Sequence, residues 1–149
     1  MLRFKYADVI FLYAMKKQIS KKPSCLRTED HAVNELILMM HNEYPAYMHL
    51  RYDWYNLYGK KIATGKFNKE KAIQGLVNIY VSRLAKYVRK NYGTSIVPPR
   101  LTIDQKTEVA EEALEILMDL FRYDKVKKGV KFIPKEPDTR TRREISKFF

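Results

Sequence analysis

Cysteine is nearly absent. Cys25 stands alone, so no disulfide can close within the chain, which suits a reducing, cytoplasmic compartment. As a nucleophile it would need a basic histidine motif nearby in sequence, and none is there; it reads as a free loop thiol. Glycine and proline are scarce, at five and six of 149 residues, and most fall where a helix should stop. No apolar run approaches the roughly 18 residues needed to cross a bilayer. The run Ala7 to Met15 is short, Asp8 interrupts its start, and Lys16, Lys17, Lys21 and Lys22 follow where a signal peptide would show small residues. An amphipathic helix lying on a membrane surface is the alternative for this segment. Also missing are a glycine-rich phosphate loop, a Ser/His/Asp pattern and a nucleophile elbow. These absences predict a protein with no reaction to catalyse and no cofactor.

Acids are outnumbered, 17 against 29 Lys and Arg, for a net charge of +12. The charge is sorted into blocks. Residues 1–27 carry +6, 28–59 carry −4, 60–100 carry +9, 101–123 carry −4 and 124–149 carry +5. Such a chain can pair acidic helices with basic ones and still leave basic surface for an anionic partner. A hydrophobic fraction of 46%, with 11 Tyr and 7 Phe, argues against a disordered polycation.

The apolar spacing predicts an all-α fold, a compact bundle of about five helices with an extended basic C-terminal arm. The helices are expected over 3–19, from an N-cap at Thr28 to about Glu43, over 46–63, over 69–91 and from Thr102 to about Tyr123. Pro45, Thr64-Gly65 and Gly93 should end three of them, Asn68 should cap the fourth, and Thr102 with Gln105 forms a capping box for the fifth. A single domain is expected over 1–123 and a basic arm over 124–149. Val130 to Ile133 could add a short extended strand.

The stretch Leu57-Tyr58, Lys60-Lys61, Gly65 to Ala72, Tyr80, Ala85-Lys86-Tyr87 and Gly93, followed by Thr107-Glu108-Val109-Ala110, resembles a small helical module. That module recurs in uncharacterised proteins of tailed bacteriophages and mobile elements. The likeness spans roughly residues 34–121. It implies a viral origin, hence the host cytoplasm or the virion, and brings no catalytic residue with it.

Several constellations compete as functional sites. On a regular helical wheel Lys69, Arg83, Lys86 and Lys90 form one strip beside the apolar face, with Lys60, Lys61 and Lys66 in the turn before it. Grouped Lys and Arg bind phosphate backbones by counterion release without reading sequence; alternatively they are a solvated face neutralised by the acidic fifth helix. Arg140, Arg142 and Arg143 make the tail a second basic candidate. Phe148 and Phe149 are poor neighbours for water, so the tail's end should dock, on a partner or within the chain. The acids Asp104, Glu108, Glu111 and Glu115 lie along one helix, which spreads them too far to converge on a metal. His31, His41 and His49 are ten and eight apart, which is no metal-site spacing. Tyr47, Tyr52, Trp54, Tyr55 and Tyr58 could stack unpaired bases, but helical spacing more commonly marks a core. The expected function is sequence-independent contact with nucleic acid or a nucleic-acid-containing assembly. The alternative is a protein–protein module, either a virion or scaffold component or an inhibitor of a host defence complex.

Overall fold

In the computed structural model the described residues are 30–128, 132 and 134–148, and among them five helices and no strand are found. The bundle is all-α. The helix expected over 3–19, the break after it, Thr28, Cys25 and Phe149 lie outside the described residues, as does most of Val130 to Ile133.

The first described helix, α1 (His31–Asn42), starts on Asp30, whose side chain accepts from the Val33 amide at 3.2 Å. Val33, Leu36, Ile37 and Met40 face inward from it, at the i, i+3, i+4, i+7 spacing of one helix face. Pro45 then falls in the first turn of the next helix, where a missing N–H costs no hydrogen bond. Helix α2 covers 44–63 as Tyr44–His49, a π-helical stretch Leu50–Trp54, and Tyr55–Ala63. Thr64 and Gly65 (φ +71°) close it.

Helix α3 covers 69–92 in the same manner: Lys69–Gly75, a π-helical stretch Leu76–Val81, and Ser82–Tyr92. Asn68 caps it through the Lys71 amide at 3.1 Å, and Gly93 ends it at φ +91°. The widened turn has a packing reason. Leu76, Tyr80, Leu84 and Val88 are all 0% exposed at a spacing of four, which in a regular helix drifts by about 40° per step. The π turn takes up much of that drift and keeps the row against the core.

Helix α4 (Ile103–Lys128) carries the expected capping box, with Gln105 N on Thr102 Oγ1 at 3.1 Å and Thr102 N on Gln105 Oε1 at 2.9 Å. The same Gln105 amide donates from Nε2 to Asp30, fastening the start of α4 to the start of α1. Val109, Ala113, Leu117 and Leu120 pack inward against α1 and the π turn of α3.

The chain continues beyond the expected boundary at 123. The Phe132 ring lies over Gly59 and meets Tyr55 edge-on at 5.2 Å. Asn56 pairs with both backbone groups of Lys135, at 2.7 and 3.0 Å. Asp138 then caps a last helix, α5 (Thr139–Ser146), which packs on Tyr44–His49. Ile145 and Phe148, at 0% and 3% exposure, belong to the same core as α1 to α4. The arm is therefore extended only briefly, and its end is part of the bundle.

Candidate nucleic-acid interface

Two of the expected basic groupings change membership. Lys69 precedes the π turn of α3, whereas Arg83, Lys86 and Lys90 follow it. One residue's worth of extra turn rotates the two groups apart by about 100°, so the four do not form one strip. Lys69 belongs instead with Lys60, Lys61 and Lys66 around the α2–α3 turn, all of them exposed. The Lys61 ammonium lies 5.8 Å from the centre of the Tyr58 ring.

The second group gains neighbours. The turn after α5 reaches α3, with the Phe148 ring 5.4 Å from Tyr80 and 5.9 Å from Tyr87. Arg142 of α5 and Arg83 of α3 both act on the charge of His49, which puts these two cations near one buried imidazole. Arg140, Arg143, Lys86 and Lys90 are exposed and Arg83 is half-buried. Arg142 holds Asp53 through its guanidinium, at 2.9 and 3.1 Å. Phe148 cannot serve as a partner-docking residue as expected, because its ring is already enclosed by His49, Tyr80 and Tyr87.

The acids of α4 do not neutralise these lysines. Among the described residues none of Lys60, Lys61, Lys66, Lys69, Lys86 and Lys90 forms an ion pair. Asp104, Glu108 and Glu111 are exposed, while Glu112, absent from the expected stripe, is buried.

Beneath the α3–α5 seam sits a polar group that charge patterning does not reveal. His49 is 5% exposed. The Trp54 indole N–H, a donor only, reaches His49 Nε2 at 3.1 Å. Nε2 must therefore accept, and the proton sits on Nδ1, which donates to Asp53 Oδ2 at 2.8 Å. Burial pushes His49 below its ordinary value of 6.5; Asp53 pulls it back, and the charges of Arg83 and Arg142 add to the lowering. The one legible signal was the His49–Asp53 spacing of four, a neighbouring pair on a helix. His41, also buried, is lowered by burial against the pull of Glu112.

The aromatic cluster is core. Trp54, Tyr55 and Tyr58 are buried, with Trp54 against Tyr58 at 5.6 Å and against Tyr80 at 6.3 Å, and Tyr80 donates to the Ala46 carbonyl at 2.9 Å. Tyr47 is buried too, and Tyr52 is half-buried with the Arg51 guanidinium 5.7 Å from its ring centre. A base-stacking platform cannot be made from rings so enclosed. No group of three or more His, Cys, Asp or Glu among the described residues is placed to hold a metal, and no described helix is long and apolar enough to cross a membrane. Comparison with protein families, curated proteins and solved structures found no match.

Proposed function

We propose that this protein binds nucleic acid without reading its sequence, through a basic surface to which α3 and α5 both contribute. The observation that supports it is the contact of Phe148, just after α5, with Tyr87 of α3, which brings the basic C-terminal segment to the basic third helix. The α3 side carries Lys86 and Lys90, whose flexible ammonium groups suit phosphate contact better than base recognition. The lysines at the α2–α3 turn form a second, separate contact for a long polyanion. This binding role involves no reaction. The likeness of residues 34–121 to a phage and mobile-element module supports a viral origin, in the host cytoplasm or a virion.

The test is a gel-shift series with double-stranded DNA, single-stranded DNA and RNA across salt. With five or six phosphates neutralised, log affinity for double-stranded DNA should fall against log salt with a slope of about −4.5 to −5.5. Replacing Arg83, Lys86 and Lys90 by Gln should flatten the slope and leave helix content unchanged. Absence of binding at low salt would reject this function. It would favour a protein–protein module, for which Ile103, 77% exposed at the start of α4, is the most exposed large apolar side chain among the described residues.

A further inference from the structure

Three kinds of contact hold α5 to the bundle. Ile145 and Phe148 bury apolar surface, and Thr141 Oγ1 meets the Tyr44 hydroxyl at 3.4 Å. Arg142 binds Asp53, and this contact leads further inward. Asp53 also accepts from His49 Nδ1, and His49 Nε2 accepts from Trp54. The imidazole lies between Phe148 of α5, with centroids 5.2 Å apart, and Tyr80 of α3, stacked at 6.1 Å. The charged and titratable groups facing it are Asp53 from α2, Arg83 and Tyr80 from α3, and Arg142 from α5. Of these only Asp53 favours a second proton on the ring.

We propose that His49, Asp53 and Arg142 form a proton-operated latch, which holds α5 on the bundle at neutral pH and releases it on acidification. A second proton has one place to go, Nε2, where it faces the indole N–H of Trp54. Two donors then point at each other, and the enclosing rings leave the new N–H no solvent to turn to. Asp53 attracts the cation while Arg83 and Arg142 oppose it. Rotation of the imidazole outward relieves the clash, and it removes the surface on which Phe148 rests. The sign follows from linkage. Because the folded value lies below 6.5, the stability held by neutral His49 is complete above that pH and is lost as pH falls below it.

The chain's single tryptophan is Trp54, so its fluorescence reports on the His49 site without labelling. The methyl resonances of Ile145, 0% exposed, report on α5 by NMR. Between about pH 7.5 and about pH 4.5 both signals should move with one midpoint below 6.5. Far-UV circular dichroism should lose no more than the eight residues of α5. His49→Gln keeps an acceptor for Trp54 and cannot titrate, so both signals should become flat. Arg142→Gln removes a charge that opposes protonation, at a side chain 47% exposed, and should move the midpoint upward by roughly half a pH unit. A transition unchanged in His49→Gln would overturn the latch. Loss of all helicity at the same midpoint, or a Trp54 change with Ile145 unmoved, would also overturn it. Should His49→Gln fail to fold, an unmoved midpoint in Arg142→Gln is sufficient to reject the proposal.

Discussion

At Gly59 a side chain would collide with the Phe132 ring, whose edge occupies the space a Cβ would take. Gly59→Ala gains about 0.5–1 kcal/mol in helix formation but must displace that ring from Tyr55, an overpacking cost of about 1–3 kcal/mol. A net loss of about 1 kcal/mol is expected in urea denaturation. It should largely vanish when Phe132→Ala is the background, because the two changes act through the same contact. Tyr55→Phe tests a second buried junction. Its hydroxyl donates to Asp124 at 2.6 Å, and Asp124, 9% exposed, would be left with Lys135 at 3.4 Å. Loss of that hydrogen bond to a buried carboxylate should lower stability by about 1–3 kcal/mol. At this scale the sequence is legible where one side chain does one local job: Asn68 and Thr102 cap the helices expected of them. It is less so where neighbours compete. Thr28 and Asp30 are both good caps, and the Gln105 amide, distant in sequence, adds a partner to Asp30.

Among the helices, α3 shows what periodicity can and cannot deliver. Its inward face follows from the spacing of Leu76, Tyr80, Leu84 and Val88 and its ends from Asn68 and Gly93, yet the π turn that aligns the row has no residue signature. It is set by the core it packs against, which is why a regular wheel misgroups Lys69. Deleting the exposed Asn78 takes out the extra residue and lets a regular turn form without rotating Ser82–Tyr92, so Leu84 and Val88 stay in the core. Thermal melts should show the deletion mutant still folded, whereas an alanine inserted after Leu84, in the regular part of the helix, should turn Val88 out of the core by about 100° and destabilise the fold severely. The last helix was harder to read. Thr141, Ile145 and Phe148 have the spacing i, i+4, i+7 that seats a helix in a groove, but α5 is eight residues long and mostly charged or polar. Such a short stripe gives weak evidence of burial. Phe148→Ala should cost about 3–5 kcal/mol, measured by chemical denaturation, and deleting 134–149 should uncover His49 and Tyr80 and lower stability by at least as much.

For the molecule as a whole, block charge was the most legible feature and its internal arrangement the least. The lysines of α3 could have been pictured paired with the acids of α4, since the two helices pack together. Helix contact is decided by apolar faces, however, and it can leave opposite charges on separate outer surfaces. A net charge of +12 with so many lysines unpaired should make the folded state self-repelling. Raising sodium chloride from about 20 mM to about 200 mM shortens the screening length roughly threefold and should raise the melting temperature by a few degrees; a fall would mean that attractions prevail. The seating of α5 also bears on the order of folding. Tyr44 meets Thr141 across 97 residues, Asp53 meets Arg142 across 89, and Asn56 meets Lys135 across 79. Closing a loop of that length costs about 2 kcal/mol more entropy than closing one of ten residues, and helices α1 to α4 can assemble through nearer neighbours first. Refolding should therefore be biphasic, with α5 docking in the slower phase. In native-state hydrogen exchange that helix should be the first to open.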